Sequence, residues 1–314
     1  HLPDREGPLA QRLGLDVLTF RQKRRAMLDR LLDARGDRPR PLLDDKVLAD
    51  WNGLMIASLA TAARVLDRDD YAEAASGAAA FVLREMRLDD GRLLHRWRDG
   101  EAAVDGYLDD YAFLAWGLIE LSQATGEAAH LRTALDLHSR MRDLFEDPEG
   151  GYFLTQADAR GLLVRQKALD DGALPSGNAI AALNGIRLAH LTGDAETEAA
   201  AHAALRADAR IRAHPTGHAA HLLAAQVALG PAPEIVIASG DGADAMREAI
   251  DAVYAPGAWH LTQSEPLVEI APFTAHQTAR DGRATAYVCE RGACQAPTTD
   301  PEVAADALAA LYAG

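Results

Sequence analysis

Apolar positions recur at helical spacing, three and four residues apart, in three long stretches of the chain. Trp51, Leu54, Met55, Leu59, Ala62 and Leu66 form the first stripe, and Tyr107, Tyr111, Leu114, Leu118 and Leu121 the second. Ile180, Leu183, Ile186 and Leu191 form the third. Each stripe is followed by a short turn and a more polar helical segment, at 69–88, 127–146 and 195–213. After the first two of these, 91–104 and 150–166 read as strand pairs around a reversal. Further helices are predicted over 17–35 and 216–229. Beyond Pro231 the pattern changes. Buried strands are expected at 234–239, 258–263 and 284–289, with helices at 242–253 and 301–312.

The stripes open on a repeat. DKVLADWNGLM at 45–55, DGYLDDYAFLA at 105–115 and DGALPSGNAIA at 171–181 align without gaps. Their leading acids, Asp45, Asp105 and Asp171, stand 60 and 66 residues apart. The unit is an inner helix, an outer helix and a strand pair, with repeats near 45–104, 105–170 and 171–230. Helical hairpins cannot bury their apolar faces alone and must stack. The expected fold is therefore mainly α: repeated α-hairpins forming part of an (α/α)6-type toroid, with short β-hairpins. Residues 1–230 would make this partial toroid and 231–314 a small α/β subdomain.

Charge and composition narrow the function. The net charge is −15 with a pI near 5.1. A basic footprint for nucleic acid is missing, and an acidic surface is repelled by anionic membranes. No apolar run reaches the 18 or so residues of a membrane helix. The opening HLPDREGPLAQ lacks a signal-peptide pattern and a starting Met. The chain thus reads as beginning inside a longer protein, with a cytoplasmic location expected. Cys289 and Cys294 make no disulfide framework and read as reduced structural thiols, with redox exchange as the alternative.

Chemistry gathers at the repeat starts. Asp50, Asp110 and Ser176 sit where an N-cap accepts from free helix N–H groups. The leading Asp45, Asp105 and Asp171 lie too far out to cap the same helices. On parallel inner helices they would converge on one rim, as carboxylates of a carbohydrate site do. Ordering of the loops by their side chains is the competing role. Asp44 and Asp170 add a second acid at two of the three starts. Trp51 either packs in the core or offers a face to a sugar ring. Asn52 and Asn178 share a repeat position and need partners there. His95 and Trp97 alternate onto one strand face, and Tyr107 opens the second repeat. These are the candidate ligand contacts. No phosphate loop or metal-spaced His motif appears. His214, His218 and His221 lack carboxylate support in sequence, so no metal or cofactor is expected.

Four motifs carry a resemblance: DDKVLADWNGLMIASLA, DGYLDDYAFLAWGLIEL, DDGALPSGNAIAALN and AYVCERGACQAPTTDP. They are similar to the C-terminal part of the thioredoxin-domain-containing family related to spermatogenesis-associated protein. The resemblance implies a six-hairpin (α/α) toroid like those of N-acylglucosamine 2-epimerases and six-hairpin glycosidases. It also implies an upstream thioredoxin-like domain as partner, and a chain that holds only part of the toroid. Epimerases of this type use a His pair for proton transfer. The inner helices here carry none, and His95 is the candidate present. Two functions follow: a carbohydrate-active toroid with a small, sugar-type ligand, or a non-catalytic binding or scaffold module serving the thioredoxin-like domain.

Overall fold

The computed structural model describes residues 6–290 and 292–313. The first five residues of the segment read for a leader lie outside them. The chain forms two compact units, His1–Asp45 and Lys46–Gly314. The first holds α1 (Glu6–Arg12) and α2 (Val17–Gly36). Asp16 caps α2 by accepting from the Thr19 N–H, and Glu6 pairs with Arg21 and Arg24.

The second unit opens with β1 (Val47–Leu48), α3 (Ala49–Leu66) and α4 (Asp69–Glu85), then β2 (Leu94–Arg98) and β3 (Glu101–Asp105). The second repeat supplies α5 (Leu108–Thr125) and α6 (Ala128–Phe145). The third supplies α7 (Gly177–Thr192) and α8 (Ala195–Arg206), and α9 (Ala219–Leu229) follows. Burial separates two layers. On α5 and α7 nearly every residue is buried, including Leu118, Ile119, Ile180 and Ile186. On α4 and α8 one stripe is buried: Ala75, Ala79 and Val82, and Thr197, Ala201 and Ala204. The inner helices α3, α5, α7 and α9 pack in series, each hairpin against the next. This mainly α architecture is the expected one.

Two glycines set the tightest crossing. A Cβ on Gly53 of α3 would stand 2.4 Å from the Phe113 carbonyl carbon of α5. A Cβ on Gly117 of α5 would stand 2.7 Å from the Gly53 carbonyl oxygen. The two backbones therefore touch, and only hydrogen fits between them.

The first strand pair forms as expected, with β1 adding a third strand in the antiparallel order β1-β2-β3. The second does not form. Over 150–166 the described residues make only an isolated bridge from Tyr152 to Glu146. Gly150, Gly151 and Gly161 take left-handed φ values of 102°, 76° and 79°, which breaks strand alternation. Arg165 donates to the Thr155 carbonyl and Lys167 to the Gly150 carbonyl, in place of a ladder. The outer helix expected over 195–213 stops at Arg206, because Asp208 turns back to accept from the Arg210 N–H.

The remainder is β4 (Glu234–Ala238), α10 (Ala243–Asp251), β5 (Trp259–Thr262), α11 (Glu265–Ile270), β6 (Thr285–Glu290), β7 (Ala293–Cys294) and α12 (Pro301–Ala310). The sheet order is β5-β4-β6-β7, with β4 and β5 parallel. All of β4 is buried. Val236 and Ala238 join the helical core. Ile235 and Ile237 join a second core with Met246, Ile250 and Leu308. Among the described residues no helix is long and apolar enough to cross a membrane.

The glycine contact gives a direct stability test. Gly53→Ala should cost about 2 to 3 kcal/mol by overpacking, measured by denaturant unfolding. Gly77 on α4 has nothing within 4 Å of the place a Cβ would take. Gly77→Ala should instead gain up to about 1 kcal/mol. Equal effects from the two substitutions would refute the contact.

Candidate functional site

The hairpin β2–β3 lies beside the first turns of α3 and α5, and here the acids meet. Asp110, fully buried in the first turn of α5, accepts from the Tyr107 N–H at 2.8 Å. The same carboxylate accepts from the Asp50 N–H of α3 at 3.0 Å. His95 on β2 places Nδ1 3.0 and 3.1 Å from its two oxygens. One carboxylate thus caps two helices and holds a histidine. The Tyr107 ring meets the His95 ring edge-on at 5.1 Å. Contrary to the expectation from sequence, the N-cap of α5 is Tyr107, with Asp110 three residues further on, and Asp50 is not the N-cap of α3. Leu48 occupies that position, and Asp50 lies inside the first turn with its carboxylate accepting from the Trp51 N–H.

Asp109 stands beside this group without a repeat counterpart. Its Oδ1 is buried and unpartnered, and a Cβ on Gly177 of α7 would come 2.0 Å from it. Burial, then repulsion from Asp110 and Asp50, pushes its carboxyl up to about 7. Asp50 is raised by burial and by Asp110. His95 is raised by its hydrogen bond to Asp110, against the opposing effect of burial. The arrangement therefore sets a carboxyl that holds its proton near neutrality beside a histidine–carboxylate pair. Such a pair of environments separates acid from base roles. Asp50, His95 and Asp110 also bring ligand atoms within 4.8 Å of one another, close enough for a metal ion.

The other sequence candidates take varied places. Asp44 and Asp45 end the first unit, both exposed. Asp105 ends β3, exposed, opposite Leu94. Asp171 accepts from the Ser176 N–H before α7 and from the Ala220 N–H of α9, so it ties two inner-helix starts together. Asp170 pairs with Arg210. Ser176 caps α7 as expected. Trp51 is 59% exposed, not core, and follows Asp50 directly. Trp97 meets Phe81 edge-on and packs on the helical core. Asn52 donates to the Leu48 carbonyl. Asn178, fully buried, accepts from the Tyr152 N–H and donates to the Tyr152 and Ala168 carbonyls, a structural clasp on the loop. His95 and Tyr107 come together with Asp50, Asp109 and Asp110.

Two further expectations are corrected. His218 does have carboxylate support. Its Nε2 lies 2.8 Å from Asp208, itself held well below the usual carboxylate range chiefly by Arg210. The ten residues that separate Asp208 from His218 hide this pairing in the sequence. Cys289 and Cys294 are bonded to each other rather than reduced. They are directly opposite across the β6–β7 hairpin, which a spacing of five does not reveal until the strands are known.

The fold defines a protein of serially stacked helical hairpins with a small α/β segment. No family model matches the chain. Human spermatogenesis-associated protein 20 is 35% identical over 311 residues, covering 93% of this chain and 40% of its own length. The chain is similar to that protein over most of its own length, and it spans about 40% of the length of the curated relatives it matches. Two solved structures are similar in part. Cellobiose 2-epimerase from Bacillus thermoamylovorans has a TM-score of 0.43 at 14% identity, covering 51% of this chain and 43% of its own. The GH76 α-mannanase of Bacteroides thetaiotaomicron has a TM-score of 0.42 at 17% identity, covering 87% and 72%.

The Asp109 environment makes stability depend on pH. Its carboxyl sits near 3.8 unfolded and about 7 folded. Between those values the folded chain keeps a proton that the unfolded chain releases, so stability falls as pH rises through that window. Relative to the native chain, Asp109→Asn should gain about 1 to 3 kcal/mol between pH 4.5 and pH 8. Calorimetry at both pH values checks it, and a gain independent of pH would contradict it. Gly177→Ala displaces the Asp109 carboxyl. Its NMR titration midpoint should then fall from about 7 toward the ordinary range.

Proposed function

We propose that the rim formed by Asp50, His95, Asp109 and Asp110 is an acid–base site acting on a carbohydrate-type small molecule. The single observation that carries this is Asp109, half-buried, unpartnered at Oδ1 and protonated near neutrality, beside the Asp110–His95 pair. In this reading Asp109 donates a proton to a sugar oxygen, or returns one to a ring carbon. His95, held by Asp110, is the partner base. Trp51, exposed next to Asp50, offers a face for a sugar ring, and exposed Asp105 borders the same end of the repeats. Asp171, with both oxygens engaged, keeps the loop before α7 in register.

The second reading is a binding module for an upstream thioredoxin-like domain in a longer cytoplasmic protein. The saturated clasps of Asp171 and Asn178 favour it, since they commit polar side chains to structure. The two readings part on turnover. Sugars and sugar phosphates are incubated with the full-length protein in deuterated water and followed by NMR. The catalytic reading expects one class to be hydrolysed or to exchange a ring proton. Asp109→Asn and His95→Gln should each slow that reaction by at least about 100-fold. Turnover untouched by both variants, or none with any sugar, would leave the module reading in its place.

A further inference from the structure

A separate cavity lies at the opposite end of the inner helices. Its volume is about 400 Å³, within the range that holds small-molecule ligands. The wall draws on all four inner helices, through Thr61 and Arg64 of α3, Glu120 of α5, Arg187 of α7 and Val227 of α9. The segment from Asp251 to His260 closes it. Along α3, Arg64 is fourteen residues from Asp50, or about 20 Å at the helical rise. The cavity is therefore distinct from the acidic rim.

One side of the cavity is polar and already balanced in charge. Arg64 pairs with Asp251 at 2.9 Å, and His260 Nδ1 approaches the same oxygen at 2.8 Å. Arg187 pairs with Glu120 at 2.5 Å, and Trp116 and Gln123 donate to the two Glu120 oxygens at 3.1 and 2.9 Å. Both ion pairs are nearly sealed from water, with side-chain exposures of 14 and 8%, and 6 and 11%. Arg187 Nε is buried without a partner. The other side is apolar, made by Val65, Leu183, Leu223, Val227 and Val253.

We propose that this cavity binds a small neutral molecule with an apolar body and one hydroxyl or carbonyl head. A charged ligand would enter a largely apolar space whose fixed charges already cancel, and would remain uncompensated there. A purely apolar ligand would leave the hydrogen-bonding capacity of the guanidinium groups unused. A neutral head with an oxygen acceptor meets the arginines, while the body covers Leu183, Leu223 and Val227. The inner helices fix these walls on rigid elements, so the site exists before the ligand arrives.

Three probes of one shape and different charge test this on the whole chain: benzyl alcohol, benzoate and benzylammonium. Calorimetric titration should give saturable 1:1 binding of benzyl alcohol, with the two ions at least tenfold weaker. Leu223→Trp and Thr61→Trp narrow the cavity from partly exposed positions, so folding is preserved and is checked by a thermal melt. Each should weaken benzyl alcohol at least tenfold. Benzoate or benzylammonium binding as tightly as the alcohol would overturn the proposal. So would binding unchanged in both variants, or no saturable binding of the alcohol.

Discussion

The backbone contact between Gly53 and Gly117 sets the geometry on which the acidic rim depends. With no Cβ on either helix at the crossing, α3 and α5 approach closely enough for the Asp110 carboxylate to reach the Asp50 N–H. That reach gives one buried charge three donors from three elements: the start of α3, the start of α5 and strand β2. A buried carboxylate is stable only when so satisfied. Asp109 lies beside it and keeps its proton first because its carboxyl is buried, and then because Asp110 and Asp50 would repel a further ionised acid there. Packing of two glycines and protonation of an aspartate are thus links of one chain.

The same logic of shared partners recurs at the third repeat. Asp171 joins the loop before α7 to the first turn of α9, as Asp110 joins α5 to α3. Each is a carboxylate that answers the free N–H groups at the starts of two different inner helices. The opposite end of the helices uses ion pairs instead. Arg64 reaches Asp251, and Gln123 of α5 accepts from the His260 N–H, so the C-terminal sheet is held to the helical layer by polar bonds as well as by the Trp259 ring.

Local pattern makes much of this legible. The apolar stripes of α3, α5 and α7 are carried by residues three and four apart, and nothing distant is needed to read them. The repeat alignment also places Asp50 and Asp110 at equivalent positions. It does not show that one caps the other's helix, because that depends on an interhelical distance set by glycines. Asp109 escapes it for a related reason. Its repeat equivalents are Ala49 and Pro175, so no recurrence marks it; the doubled acid at a helix start is the only local sign. The segment 150–166 misleads because two short apolar runs, Tyr152–Leu154 and Leu162–Val164, flank a polar reversal there, while three left-handed glycines decide the path. The Cys289–Cys294 bond and the Asp208–His218 pair both need the fold to bring their partners together.

The burial of β4 on both faces bears on the order in which the chain comes together during synthesis. Val236 and Ala238 complete the core of the hairpins, and Trp259 lies fully buried against Arg187. On a ribosome, α5 and α7 emerge well before the strands that cover them. Until residues 234–262 appear, those hairpins keep an apolar wall in contact with water. A nascent chain halted short of residue 234 would therefore carry the kind of exposed apolar surface that makes folding intermediates prone to aggregate.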